Sequence, residues 1–460
     1  MKIILVLKMN ALKNHSILPT LLFLLLFTVI SSSCRTSRKG FKSNSTKPLS
    51  KLIDESIILN GTTGFVVADI KTNEFLFEKS ADTYFTPASN TKILTLYTAL
   101  NVFGDSMPTL RFSHSNSQVI IQGTGHPSFL NPDFPTERDD VFSFLKEQKE
   151  PITFCDCNFQ EEKYGSGWSW DDYYYSFQSE KSSLPVYGNV ATFIKKKKDK
   201  PAKIHPKYFE NQTTSVIDSF TERTSISRSW DSNQFTINQK PNNTFTKRKR
   251  PFRADAITIA QLLSDTLTKN IQTCNNRCTK QSFNEFYSNI SAKDIYKEMM
   301  LNSNNFVAEQ LLLLCANQLF DTLTITRSID WAQDSLFYFL KQQPKWVDGS
   351  GLSRYNMMTP KSMVQVLQQL YKKMEPAQAF ELFPAGGKTG TLENWFTDYK
   401  QPFVFAKTGS MRHIFCLSGY LTTESGKTLA FSFMQNNYVG STKNLKKEIE
   451  KILQHIHETF

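Results

Sequence analysis

Two hydrophobic periods alternate along this chain. The runs Gly64-Phe-Val-Val-Ala-Asp-Ile70 and Glu74-Phe-Leu-Phe-Glu78, separated by Lys71-Thr-Asn73, predict the two strands of a hairpin. After Pro87 the period lengthens: apolar residues at 93, 96, 97 and 100 keep helical spacing, so a helix is expected there with Ser89 in a capping position. Helical patterns return at Phe283 to Asn317, Ile329 to Gln342 and Lys361 to Lys373. Strand-like runs, Ile414 to Leu421 and Leu429 to Met434, fill the C-terminal part before a last helix. From roughly 106 to 285 the texture differs, with short β-like runs such as Val119-Ile-Ile121 and Phe235-Thr-Ile237 broken by Asn, Pro, Gly and Ser. The whole reads as an α/β (α+β) frame interrupted by one or two mainly β modules.

The N-terminal pattern belongs to neither period. Lys2, Lys8 and Lys13 precede an apolar run, Ile17 to Ile30, that gives way to Ser31, Ser32, Ser33 and Cys34. A charged start, a short apolar core and small residues describe a secretory signal, and the run is short for a membrane span. Residues 1–33 are therefore expected to be removed on export, to the periplasm or cell envelope. Cys34 resembles the processing site of bacterial lipoproteins, although Ser31 stands where an aliphatic residue is usual. That likeness predicts a lipid anchor to a membrane; the plainer reading is an ordinary signal cut nearby. Residues 34–50, polar and basic, suit a flexible tether. The expected organisation is then one domain built from 51–105 and 286–460, with an accessory insertion at 106–285.

Composition adds limits. A net charge of +12 could favour anionic headgroups or acidic wall polymers. It is spread along the chain, and the run Lys195 to Lys198 reads as a solvated loop, with no nucleic-acid motif beside it. Six cysteines follow Cys34: Cys155, Cys157, Cys274, Cys278, Cys315 and Cys416. The Cys-x-Cys and Cys-x3-Cys spacings fit zinc poorly, so no metal is expected, and disulfides or buried thiols both stay open.

The chemistry is concentrated in three short motifs. A serine hydroxyl needs a base within reach, and Ser-x-x-Lys on a helix places hydroxyl and amine on one face. Ser89 with Lys92 and Ser143 with Lys146 both match; Ser89 opens a helix, whereas Lys146 is explained as a solvated residue of an ordinary helix. Ser-x-Asn occurs at Ser282 and at Ser303, the latter between Met299-Met-Leu301 and an apolar helix, where a plain N-cap is the competing reading. Lys-Thr-Gly occurs at Lys388, in a glycine-rich loop, and at Lys407, which follows Phe403-Val-Phe-Ala406 as an edge strand would. Lys407 is therefore preferred over Lys388.

Together these motifs resemble the signature of β-lactamases and penicillin-binding proteins. A narrower likeness runs from about residue 51 to the end: Val347 to Pro360, the Phe383 to Phe396 loop, Ala406-Lys-Thr-Gly-Ser410, Leu417-Ser-Gly-Tyr420, Phe433 to Tyr438, Gly123 to Ser128 and Gly167-Trp-Ser-Trp-Asp-Asp172. These look like the class C low-molecular-mass penicillin-binding proteins, the D-alanyl-D-alanine carboxypeptidase/endopeptidase family. Ser303 lies 214 positions beyond Ser89, and that family carries extra domains in this gap. Ser-Asn-Asn replaces the commoner Ser-Asp-Asn, and His126 replaces an acidic residue.

The resemblance implies a β-lactamase/D,D-peptidase-like fold with a large insertion, and a serine hydrolase acting on peptidoglycan peptides without a cofactor. It assigns Ser89 as nucleophile, Lys92 as general base, Ser303 as proton relay and Asn305 as a hydrogen-bond partner of the substrate backbone and of Lys92. Lys407, Thr408 and Gly409 would bind substrate, and the backbone N–H groups of Ser89 and Ser410 would form the oxyanion hole. Two cations in one dry site would depress each other's proton affinity. β-Lactams would acylate Ser89. The competing functions are a non-hydrolytic wall-binding lipoprotein and a β-lactamase; no deacylating glutamate loop of the class A type is recognisable beside Ser303.

Overall fold

The strand runs at the two ends of the chain meet in one sheet. The computed structural model describes residues 46–55, 61–115, 117–135, 140–196, 202–274 and 282–460. Its main sheet is five-stranded and wholly antiparallel, in the order Val404–Met411, Ile414–Thr422, Thr428–Asn436, Thr62–Asp69, Phe75–Lys79. The expected hairpin forms its far edge, and the strand with Lys407 forms the other.

Alternation along the central strands feeds two cores at once. Ile414, Cys416 and Tyr420 face one apolar cluster with Val66, Ala68, Ala430 and Met434, while Phe415, Leu417 and Leu421 face another with Phe65, Val67, Leu429 and Phe431. Both faces are covered, which is why Ile414–Thr422 reads as a nearly continuous buried run. The second face is closed by the C-terminal helix Thr442–Thr459, whose Leu445, Ile449, Ile452, Leu453 and Ile456 form a single stripe. The helix Thr46–Glu55 packs there through Leu49 and Ile53, so residues 46–50, expected within the tether, are already helical.

The first face carries the helices that matter for chemistry. Asn305–Phe320 is buried from Phe306 to Asn317, as expected of a helix apolar on all sides. It packs against Lys92–Val102, which also meets Pro360–Lys373. Three helical expectations need correction. The Phe283–Asn317 pattern splits into a strand, Asn284–Phe286, and two helices, Ala292–Leu301 and Asn305–Phe320. The Ile329–Gln342 pattern is a helix only as Ile325–Ser335, because the rest folds into turns. Ser89 does not cap the helix after Pro87: it lies in a 3₁₀ turn, Ala88–Thr91, that runs into Lys92–Val102.

The intervening residues have their own core around Phe129, Phe154, Phe193, Phe209 and Phe252. They form a mixed five-stranded sheet, Ile271–Thr273, Ile152–Cys155, Val119–Gly123, Leu110–His114, Asn284–Phe286, and two three-stranded sheets. Two helices, Val141–Glu147 and Ala256–Leu267, accompany them. Cys157 is disulfide-bonded, whereas Cys155, Cys274, Cys315 and Cys416 are free. A long irregular segment then returns to the central helix. There Gln310 Nε2 donates to the carbonyls of Gly125 and Ser182 at 2.8 and 2.9 Å, and Asn158 Nδ2 donates to Asn317 Oδ1 at 3.1 Å.

Candidate active site

Three elements distant in sequence converge on one amine. Lys92, the first residue of its helix, is fully buried, and its Nζ lies 3.0 Å from Ser89 Oγ, 2.7 Å from Asn305 Oδ1 and 2.7 Å from the Ser350 carbonyl. Burial pulls its pKa down from 10.5 to about 7, against the Asp348 and Glu309 carboxylates, which raise it. The two carbonyl-type partners can only accept. A neutral Lys92 therefore spends both hydrogens on Asn305 and Ser350, leaving its lone pair for the Ser89 hydroxyl to donate to.

Lys407 completes the second half. Its Nζ donates to Ser303 Oγ at 2.8 Å and to the Thr408 carbonyl at 2.9 Å, and it too is wholly buried. Burial, then the charge of Lys92, holds its pKa well below the usual lysine range. Mutual repulsion was the expected lever for both lysines; burial is the larger one, and at Lys92 nearby carboxylates oppose it. Ser303 is freed for this contact because Asn304, not Ser303, caps the helix, accepting from Val307 N. The N-cap reading of Ser303 is thus replaced. Ser303 and Ala88 both take left-handed backbone angles, φ 54° and 47°, conformations that cost non-glycine residues and that here aim groups beside the two motifs.

Close backbone approach fixes the edge strand against the Ser89 turn. Asn90 Nδ2 donates to the Lys407 carbonyl at 2.7 Å and its Oδ1 accepts from Ser418 Oγ at 2.7 Å, tying the turn to two strands. A Cβ at Gly409 would lie 2.5 Å from the Pro87 carbonyl and 3.1 Å from Ser89 N, so only glycine fits there. Gly351, at φ 81°, meets the Ala88 carbonyl in the same way.

A cleft of about 580 Å³ opens over Ser89, lined among others by Asn305, Ser410, Arg354, Arg412, Asp171 and Asp172. Ser89 and Ser410 thus face one space, and both signs of charge border it. Thr408 Oγ1 donates to Thr391 Oγ1 at 2.8 Å.

The alternative motif copies fall elsewhere. Ser143 and Lys146 are exposed on the Val141–Glu147 helix, and Ser282 is exposed. Lys388 is exposed in a loop whose Ala385 bridges Phe405; that loop supports the edge strand and lends Thr391, but not its lysine. Cys34 lies outside the described residues. Among those residues no cluster of His, Cys, Asp or Glu could hold a metal, and no helix is long and apolar enough to cross a membrane.

The match to a known family model spans residues 46–458, nearly all of this framework. The chain belongs to the D-Ala-D-Ala carboxypeptidase 3 (S13) family. It is 23% identical over 435 residues to D-alanyl-D-alanine carboxypeptidase DacB of Haemophilus influenzae, covering 84% of this chain and 88% of that protein. It is 25% identical over 521 residues to penicillin-sensitive carboxypeptidase A of Dictyostelium discoideum, covering 96% and 98%. The crystal structure of penicillin binding protein 4 (dacB) from Haemophilus influenzae superposes with a TM-score of 0.74 at 20% identity, covering 89% of this chain and 99% of that one, and so shares its fold. The protein is accordingly a serine-type carboxypeptidase of the S13 family with the β-lactamase/D,D-peptidase fold.

Two carboxylates of this S13 site escaped the motif reading. Glu309 is buried, accepts from Gly349 N at 3.2 Å and Ser350 N at 2.7 Å, and has its pKa pushed up to about 7 by burial and then by Asp348. Asp348 accepts from Trp168 Nε1, Gly351 N, Ser353 N and Asn356 Nδ2 at 2.6–2.8 Å. Together they hold the loop whose Ser350 carbonyl meets Lys92. A glutamate that, with Gln310, interrupts the apolar run from Phe306 to Leu314 was the available signal for Glu309.

Proposed function

We propose that this chain hydrolyses the terminal D-alanyl-D-alanine bond of peptidoglycan stem peptides, and cross-links of related chemistry, through an acyl-enzyme on Ser89. The arrangement of Lys92 carries the reading: a buried amine whose hydrogens are taken by two fixed carbonyl oxygens presents its lone pair to Ser89 Oγ. In the first step Lys92 takes the Ser89 proton as Oγ attacks the carbonyl of the penultimate D-Ala. The developing oxyanion is held by the N–H groups of Ser89 and Ser410, donors of a kind worth about 3 kcal/mol each. As the C–N bond breaks, the leaving amine takes that proton from Lys92, relayed through Ser303, which Lys407 holds by hydrogen bond. Water then attacks the ester carbonyl, giving a proton to the again neutral Lys92, which passes it to Ser89 Oγ as the acyl C–O bond breaks. Asn305 supports Lys92 and, with Lys407, Thr408 and Gly409, borders the bound peptide.

The test is direct. Purified enzyme should take up fluorescent penicillin and release free D-alanine from a pentapeptide ending in D-Ala-D-Ala. Labelling without release would favour the non-hydrolytic binding protein, and rapid turnover of the penicillin itself would favour a β-lactamase. Export and a lipid on Cys34 are proposed from the leader sequence alone. Metabolic labelling with radioactive palmitate that is unchanged in Cys34→Ser would remove the anchor.

A further inference from the structure

Aromatic rings usually end in a core, yet one run of them leaves the active site along the surface of the inserted modules. It begins at Phe177, which lines the cleft and whose carbonyl accepts from Asn305 Nδ2 at 3.0 Å. Phe177 stacks on Tyr175 at 5.4 Å, Tyr175 meets Tyr174 at 4.3 Å, Tyr174 meets Tyr173 at 5.5 Å, and Tyr173 meets Trp230 at 4.8 Å. Phe177, Tyr175 and Trp230 remain 44%, 39% and 54% exposed. Trp170, between the cleft-lining Ser169 and Asp171, is 76% exposed.

We infer that this path of rings is a carbohydrate shelf, holding the glycan strand from which the substrate's stem peptide hangs. The inference rests on the D,D-peptidase reading and adds a second substrate-binding surface to it. The rings are held in place before any ligand arrives. The Arg228 guanidinium, itself buried, lies 5.3 Å from the Tyr173 ring centre and Arg250 lies 5.9 Å from that of Tyr174. Tyr173 OH donates to the Arg228 carbonyl at 2.9 Å and Tyr174 OH to Tyr175 OH at 3.0 Å. Fixed, exposed rings cost little ordering entropy on binding, which is how aromatic side chains serve as anchors.

The chemistry of the shelf selects its occupant. An exposed apolar patch that continues a substrate cleft marks a binding surface. Here it is aromatic, not aliphatic, and Asp171, Asp172, Ser169 and Ser176 lie beside it in sequence. Sugar rings present C–H faces that stack on such rings and hydroxyls that donate to carboxylates. A stem peptide also brings its glycan with it: four residues separate the scissile bond from the sugar, a reach on the order of 13 Å. The shelf therefore meets its ligand intramolecularly, at a high effective concentration.

The test compares a free pentapeptide with the same pentapeptide carried on its N-acetylated disaccharide. Wild-type enzyme should release D-alanine from the glycan-bearing form with a kcat/KM about tenfold higher, through a lower KM. Tyr175→Ala and Trp230→Ala should reduce that preference to about twofold or less while leaving penicillin acylation and free-peptide hydrolysis unchanged. Should Trp230→Ala fail to fold, Tyr175→Ala decides the matter. Equal kcat/KM for both substrates in the wild type, as a protein-docking surface would give, overturns the shelf, and so does a preference that survives both substitutions. Absence of penicillin acylation in the wild type would instead sink the peptidase reading, and the shelf with it.

Discussion

Replacing Lys92 by Met tests whether burial, and not a motif alone, makes this lysine a base. Methionine keeps the unbranched shape and removes the amine. In the folded protein Lys92 loses its proton near pH 7, whereas in the unfolded chain it holds it to pH 10.5. The folded-state value is depressed, so between these limits the unfolded state binds the extra proton and stability rises with pH. The contribution is fully present above pH 10.5 and is lost as pH falls to about 7. A difference of about 3.5 units at 1.36 kcal/mol each gives a total of about 5 kcal/mol. Urea unfolding of wild type and Lys92→Met from pH 6 to 10 reads this group together with the neighbours it is coupled to, Lys407 and Glu309, while more distant titrations cancel in the difference. The wild type should gain on the variant by about 1.4 kcal/mol per pH unit above neutrality. Its penicillin acylation should show an acid limb near pH 7, and the variant should acylate at least about a thousandfold more slowly. A stability difference that stays flat from pH 7 to 10 would refute the burial argument, whatever the acylation rates.

Ser89→Ala should abolish labelling by fluorescent penicillin with a thermal midpoint shifted by no more than a few degrees, since one hydrogen bond of about 1 kcal/mol is lost; surviving label would exclude this serine. Lys407→Ala should lose most acylation, on the order of a hundredfold, by removing the amine that holds Ser303, whereas the exposed Lys388→Ala should acylate normally; the opposite ranking would move the active strand to residues 387–392. Glu309→Gln should move the acid limb of acylation to lower pH, because it removes a carboxylate that raises the Lys92 pKa. It should also cost about 1–3 kcal/mol of stability, as one of the two backbone donors at Gly349 and Ser350 loses its acceptor; an unmoved or upward-shifted limb counts against the charge argument.

Local physics made much of this protein legible. The apolar runs at 64–70 and 74–78 became an antiparallel hairpin: in the first, Phe65 and Val67 face one cluster and Val66 and Ala68 the other, while in the second Leu76 and Phe77 both pack with Phe65 and Val67. The three-residue step from Ser89 to Lys92 remained a contact although the turn is 3₁₀ at its start, since such a turn also brings positions three apart onto one side. Lys407 was separable from Lys388 because an apolar run preceding it could pair as a strand, and a glycine-rich loop could not.

What the sequence could not supply is everything decided by distance through space. Ser303 reads as a cap until Asn304 is seen to take that role, because two adjacent cap-forming residues are equivalent in one dimension. Glu309 and Asp348 carry no motif; they matter because the fold buries both near Lys92 and hangs the Ser350 loop from them. By itself the sequence determined most of the local elements, through periods and spacings that act over a few residues, and its likeness to a known motif set proposed the reacting groups. Only the tertiary structure decided which copies of the motifs meet and how far each amine is dried, since desolvation depends on neighbours that the chain brings from more than two hundred positions away.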